Sequence, residues 1–257
     1  MNYLIENFGL LGGWALSATF LFVRYLLIAG VFFLFFYVFK KRRFIKRKIQ
    51  EKWPEWRQSG YEVAHSLSTA GIFAVVGLVI HGMNAAGWTA MYTSIAEYGV
   101  GWFVFTFLLL VIVHDTWFYW MHRAIHQPGL FKIIHKVHHQ SHNPTPWAAF
   151  SFHPIEAFLE IGFLPIIVCL LPLHPLAIVL FSLWSILFNV MGHLGYEIFP
   201  KGFTQHPIFK WFNTPTHHNL HHQRSNCNYG LYFNFWDRVM ETNHQQYHEI
   251  FDEISGR

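Results

Sequence analysis

WALSATFLFVRYLLIAGVFFLFFYVFKKRRFIKRK, residues 14–48, decides what kind of fold this chain adopts. Its apolar part, 14–39, carries one charge, Arg24, and as a helix would reach about 39 Å, enough to cross ~30 Å of hydrocarbon. The nine residues that follow are Lys or Arg at seven positions, a stop-transfer signal that places this loop on the cytoplasmic side. A polybasic nucleic-acid tract is the competing reading. The span directly before it argues against that, and no base-stacking pattern accompanies the charge, so no nucleic-acid partner is expected. Arg24 is expected to snorkel toward an interface rather than face protein.

The whole chain agrees with that stretch. Hydrophobic residues make up 53% and charged residues only 12%, against about 25% charged in an average soluble domain. So little charge cannot cover a water-facing surface of 257 residues. Residues 1–14 lack a basic n-region, so a cleaved signal peptide is not expected. Further apolar runs cover roughly 63–83, 101–114, 155–171 and 175–190, the last two joined by the PLHP of 172–175 as a hairpin. The 155–171 arm is short for a full crossing. The cysteines, Cys169 and Cys227, show neither pairing nor ligand spacing.

Charge fixes the expected topology. With the loop of 40–60 cytoplasmic, the spans carry 114–154 and 192–257 to the same side. That side then holds every Lys and Arg except Arg24, 17 of the 18. The predicted fold is an all-α integral membrane protein of four to five transmembrane or hairpin helices, with a cytoplasmic histidine-rich helical cap. Residues 1–100 form the N-terminal membrane region with its basic loop, 101–242 the region that carries chemistry, and 243–257 a polar tail expected to be loosely ordered.

The chemistry lies in histidine spacing. His122 and His126 stand at i, i+4; His135, His138 and His139 at i, i+3, i+4; and His218, His221 and His222 repeat the latter. Residues three and four apart share a helix face, so each block can aim its imidazoles at one point. Eight such histidines exceed one ion's needs and fit two ions sharing a cage. His65, His81, His174, His206, His244 and His248 stand alone and read as interfacial or core side chains. Asp115, two helical turns before His122, Asp237, Glu156 and Glu197 are candidates to hold the outer N–H of a ligating imidazole.

Two rival readings use the same histidines. A membrane metal transporter would place ionisable ligands within the spans, which these spans lack except at their edges. A zinc-dependent hydrolase wants a general base, and HRAIH (122–126) lacks the glutamate of the H-E-x-x-H metalloprotease helix.

The ordered motifs DTWFYWMHRAIH (115–126), HKVHHQSHNPTPWAAFSFHPIE (135–156), GHLGYE (192–197) and THHNLHHQRSNCNYGLYFNFWDR (216–238) resemble the fatty acid hydroxylase/sterol desaturase superfamily, nearest its sterol C5-desaturase-like branch. The resemblance covers about 100–242. It implies a non-haem di-iron centre that uses O2 to hydroxylate or desaturate an unactivated C–H bond of a lipid, a sterol-like one ahead of fatty acyl chains. It places the ligands at His122, His126, His135, His138, His139, His218, His221 and His222, with His193 a ninth. Some relatives carry H-x-x-x-H at that last motif; this chain has Asn189 at the earlier position, leaving room for a water or an amide. His153 stands between ligand and supporting residue, and His114, His142 and His217 rank lower. Zinc could replace iron on overproduction. Electrons would come from an external donor such as cytochrome b5 or a ferredoxin with its reductase, steered by the basic face around 40–57, Arg123, Lys132 and Lys136.

Overall fold

The computed structural model describes residues 2–257. Its helices are α1 (Asn2–Phe33), α2 (Lys41–Phe44), α3 (Trp56–Ala85), α4 (Ile95–Ile125), α5 (Pro128–Leu130), α6 (Lys136–His139), α7 (Pro154–Ile161), α8 (Phe163–Leu170), α9 (Pro175–Gly192), α10 (Pro215–Arg224), α11 (Phe235–Val239) and α12 (Tyr247–Ser255). Among the described residues the only β pairing is two isolated bridges, Lys48 with Tyr196 and Phe212 with Phe233.

Among the described residues, four helical stretches are long and apolar enough to cross a membrane: Tyr3–Phe39, Trp56–Ala85, Ile95–Ile125 and Pro175–Gly192. In a bilayer every backbone polar group must be satisfied internally, which favours helices. Their outer faces are correspondingly apolar, with Leu27, Val31, Leu108, Ile112 and Leu187 all exposed. The first span begins well before Trp14. Nothing in residues 2–13 halts the helix, and Gly9, at φ 68°, absorbs a kink instead of ending it. It then passes into a π-helical turn, Leu34–Phe39, before the basic α2.

The arm after His153 is not a span. It breaks into α7 and α8 at Gly162, eight residues each and therefore about 12 Å long. Leu164 and Val168 of α8 pack with Val76 of α3, Leu110 of α4 and Phe181 of α9 in the largest apolar cluster. Trp117 of α4 pins α7 by donating its indole N–H to Leu159 O at 2.9 Å.

Two expectations are corrected. Arg24 does not snorkel: it turns into the protein and donates from Nη1 to Ser182 Oγ of α9 at 2.7 Å. At that depth an arginine facing protein finds a hydroxyl that lipid does not offer. The C-terminal tail is not loose. Tyr247 and Phe251 stand one turn apart on α12 and are buried against Leu220 of α10, while Arg47 reaches Ser255 O at 2.9 Å.

The cap is tied to the spans by close contacts. Gly195, at φ 74°, lets the chain pass Tyr37, whose hydroxyl donates to Leu194 O; a Cβ at 195 would lie 2.4 Å from that hydroxyl oxygen. Helix α10, which carries four histidines, is started by Thr214, whose side chain accepts from His217 N, and by Pro215 at its first position. Glu197 adds a carboxylate at the same end, accepting from Thr216 N at 3.1 Å and Thr216 Oγ1 at 2.7 Å.

Candidate metal centre

Nine imidazoles converge in two groups. His122, His126, His135, His139 and His221 form the first; His138, His193, His218 and His222 form the second, and within each the ligand nitrogens lie within 4.8 Å of one another. All nine are buried except His126, which is half-buried. The eight motif histidines and His193 are thus brought together. His114, His142, His153 and His217 lie in neither group.

The blocks do not each serve one point. The i, i+4 pairs stay together, with His122/His126 and His135/His139 in the first group and His218/His222 in the second, while His138 and His221 cross to the other group. Neighbouring residues on a helix diverge by about 100°, so an adjacent His-His pair can face two sites at once. A π-helical turn, Phe131–His135, precedes α6 and sets where that fork points. Such turns recur at functional sites.

The donor set suits a cation. His193 Nδ1 donates to Asn189 O at 2.7 Å and His138 Nδ1 to Ser151 O at 3.3 Å. Carbonyls only accept, so both rings carry their proton on Nδ1 and point a lone pair inward from Nε2. Those two Nε2 atoms face each other at 3.2 Å. In the same group the Nε2 atoms of His193, His218 and His222 are mutually 3.0–3.2 Å apart. Three atoms in mutual contact cannot all pair donor with acceptor. In the first group His122 Nδ1 donates to Tyr229 O at 2.8 Å, and His135 Nδ1 to Glu156 Oε1 at 2.6 Å, while their Nε2 atoms meet at 3.0 Å. Nitrogens placed about 2.0–2.1 Å from an ion are separated by about 2.9 Å at a right angle and about 3.4 Å at a tetrahedral one. The observed spacing fits donors around a metal, and all-imidazole donors suit iron, copper, nickel or zinc.

Burial, then the neighbouring imidazoles, hold these rings neutral. His126, His135, His138, His218, His221 and His222 are lowered below the usual histidine range, His139 to about 3 and His193 to about 4. Their pKa is lower folded than unfolded, so below pH 6.5 the unfolded chain binds more protons and stability falls. Each ring should cost about 1.4 kcal/mol per pH unit in that window, with the His193 contribution levelling off near pH 4. Chelator-treated protein is therefore expected to hold its unfolding temperature from about pH 8 to 6.5 and lose it steeply below, as read by circular dichroism. A flat profile down to about pH 5 would contradict this assignment.

The supporting residues differ in part from those expected. Glu156 takes the His135 N–H. Asp115 touches no ligand; it accepts from Tyr232 N at 2.8 Å and Phe233 N at 3.2 Å. Asp237 accepts from Tyr229 N at 2.8 Å, Gly230 N at 2.7 Å and Thr242 Oγ1 at 2.7 Å, with His217 Nε2 at 3.3 Å. Both carboxylates thus clamp the 229–233 loop, and the loop's Tyr229 carbonyl orients His122. Burial alone would raise the Asp237 carboxyl, but His217, Thr242 and the Gly230 amide hold it below its usual range. Asn189 contributes its backbone carbonyl, not its side-chain amide. His153 caps α7, accepting from Ile155 N at 3.3 Å. His114 instead meets the Tyr232 hydroxyl at 2.8 Å through Nδ1. Sequence reasoning misses Ser151, Cys227 and Ser225 altogether. Ser151 and Cys227 act through carbonyls, on His138 and His221, and Ser225 through its hydroxyl on His139; side-chain chemistry in the sequence signals no such carbonyl.

Fold and site together define, among the described residues, an integral membrane protein with four candidate spans and two adjoining groups of histidines that could each hold a metal ion. Residues 107–242, more than half of the chain, match the fatty acid hydroxylase family, and the chain belongs to it. It is 32% identical over 215 residues to a Delta(7)-sterol 5(6)-desaturase of Gibberella zeae, covering 79% of this chain and 61% of that one. A second such desaturase, from Aspergillus fumigatus, is 29% identical over 233 residues, covering 79% and 67%. Lathosterol oxidase of Rattus norvegicus is 32% identical over 164 residues, covering 61% and 52%. The chain therefore spans about half to two thirds of these relatives' length. No solved structure matches it at a significant level.

Proposed function

We propose that the chain is an O2-dependent lipid oxidoreductase, hydroxylating or desaturating an unactivated C–H bond, with a sterol-like substrate favoured. The observation that carries this is the inward-facing lone pairs of the two histidine groups, with the family's named desaturases in support. His122, His126, His135, His139 and His221 would hold one iron, and His138, His193, His218 and His222 the other. An iron pair there would supply O2 activation and hydrogen removal from the lipid.

The chain's own residues fix orientation and exclude water. Tyr229 O, Glu156, Ser151 O, Asn189 O and Cys227 O each hold one imidazole by its outer nitrogen, so the inner nitrogens are set before any ion arrives. Glu156 is turned to the His135 N–H, and Asp115, Asp237 and Glu197 to backbone amides. The cage lies at the span ends adjoining the basic loop, so we place it on the cytoplasmic side. Electrons would arrive from a donor such as cytochrome b5 or a ferredoxin. Neutralising Arg123, Lys132 and Lys136 is the test of that docking, read in the salt dependence of donor-driven turnover.

The deciding experiment is anaerobic iron loading of the wild type and His138→Ala, followed by O2 uptake and lipid product analysis. Product should need both iron and O2 and be lost in the variant. Equal product without either would overturn the reading.

A further inference from the structure

The aromatic rings around the cage differ in how easily they give up an electron. Those against the nine imidazoles are Phe118, Phe131, Phe152 and Tyr229. Among the described residues Tyr229 is the only tyrosine or tryptophan in that position, its ring centroid 5.2 Å from His126, 5.7 Å from His221 and 5.8 Å from His122. Beyond the imidazoles it meets one ring, Tyr119 of α4, at 6.3 Å. Tyr119 in turn meets Trp236 of α11 at 6.0 Å and Trp120 at 5.4 Å, and the two tryptophans meet each other at 5.5 Å. Trp236 is half-buried and Trp120 is 44% exposed. A single file of rings thus leads from the first histidine group to the surface, branching only at its outer end. An interfacial tryptophan belt accounts for Trp120; it does not account for two buried tyrosines in line behind it.

The middle ring also has a proton path. Tyr119 is fully buried, and its hydroxyl lies 2.9 Å from Thr242 Oγ1. Thr242 gives its own proton to Asp237 Oδ1 at 2.7 Å, so in the first bond the phenol is the donor. With that proton relayed away, an oxidised Tyr119 is neutral, which suits the Arg123 guanidinium that donates to its oxygen at 3.4 Å. Arg123 also lies 5.9 Å over the Trp120 ring and opposes positive charge there. Trp236 instead donates its indole N–H to Thr116 Oγ1 at 3.1 Å, an acceptor that favours such charge.

A site that reacts with O2 while no lipid is bound oxidises its own ligands unless an electron reaches it first. Electrons cross several short gaps faster than one long one, because tunnelling falls off exponentially with distance. We propose that Tyr229, Tyr119 and the Trp236–Trp120 pair are a discharge path, supplying that electron from the surface so that the imidazoles are spared. This rests on the oxidoreductase reading and adds a second activity to it. One electron leaves Tyr119 for the oxidised iron site across the Tyr229 ring, while the phenolic proton passes to Thr242 and the Thr242 proton to Asp237. Trp236 then returns an electron to Tyr119, which takes its proton back. A water-soluble one-electron reductant, of the ascorbate or thiol class, refills the tryptophan.

The test exposes the iron(II)-loaded full-length chain to O2 without lipid. O2 uptake, electron paramagnetic resonance of frozen samples and peptide mass spectrometry of oxidised residues are read together. Wild type should show a tyrosyl or tryptophanyl radical and carry its oxidation at Trp236 and Trp120, and ascorbate should suppress both. Tyr119→Phe should lose the radical and the tryptophan products and oxidise His126 and its neighbours instead. Trp120→Phe combined with Trp236→Phe should keep a tyrosyl signal and prolong it. Tryptophan products unchanged in Tyr119→Phe would overturn the proposal. So would wild-type oxidation centred on the imidazoles, on Met121 or Met191, or on Cys227, whose carbonyl holds His221. Should Tyr119→Phe not fold, a radical of unchanged lifetime in the double tryptophan variant would overturn it alone. Absence of O2 uptake would sink the oxidoreductase reading and the path together, whereas uptake with oxidation scattered over other residues would sink the path only.

Discussion

Replacing His193 by alanine is expected to bring the iron content down from about two ions per chain toward one and to cut lipid oxidation more than about a hundredfold. That exceeds the 10–100-fold typical of losing a group that merely orients a ligand. The reason is the unequal size of the two groups. The second has four histidines, and His193 Nε2 touches the Nε2 of each of the others, at 3.0–3.2 Å. Without it three remain, and their common neighbour is gone. The first group has five, so His126→Ala still leaves His122, His135, His139 and His221. Metal analysis after dialysis against a chelator should show the difference, with His193→Ala losing iron and His126→Ala losing less. If His193→Ala kept both ions and full activity, the second group would not be a metal site.

The largest effect on folding should come from Asp237→Ala, at about 3–5 kcal/mol. Asp237 is fully buried and accepts three hydrogen bonds, from the Tyr229 and Gly230 amides and from Thr242, with His217 against its other side. Alanine strands all of these donors where water cannot reach them, and each stranded group costs about 1–3 kcal/mol. The damage also reaches the histidine cage, because Tyr229 is the residue whose carbonyl fixes His122. Asp237→Asn retains an acceptor and should lose roughly half as much. Denaturation in detergent, followed with iron content, measures both; an Asp237→Ala protein as stable as wild type would show that the 229–233 loop does not depend on this clamp.

Much of the fold and of the histidine clustering is legible in the amino-acid order alone. Hydropathy marks the spans because a bilayer leaves few alternatives, and the clustered histidines stand out because i, i+4 spacing places two side chains on one helix face. What stays hidden depends on backbone direction. No residue type announces that Tyr229, Ser151, Asn189 and Cys227 serve through carbonyls, since every residue has one. Asp115 looks well placed for His122 by helical spacing, but its side chain meets the amides of Tyr232 and Phe233, contributed more than a hundred residues later. Arg24 misleads for a related reason: nothing local announces that Ser182 stands opposite. The polarity of 243–257 suggests a loose tail, yet Tyr247 and Phe251 suffice to anchor it.

The adjacent pairs His138–His139 and His221–His222 each straddle the two histidine groups. Consecutive α-carbons are about 3.8 Å apart whatever the packing. The two histidine groups are therefore yoked by covalent bonds, twice over and from two different helices. Thermal motion or a bulky substrate can tilt the cage as a body, but neither can pull its halves apart without distorting the peptide backbone itself. Any two ions the groups held would inherit a spacing written into the chain like a ruler.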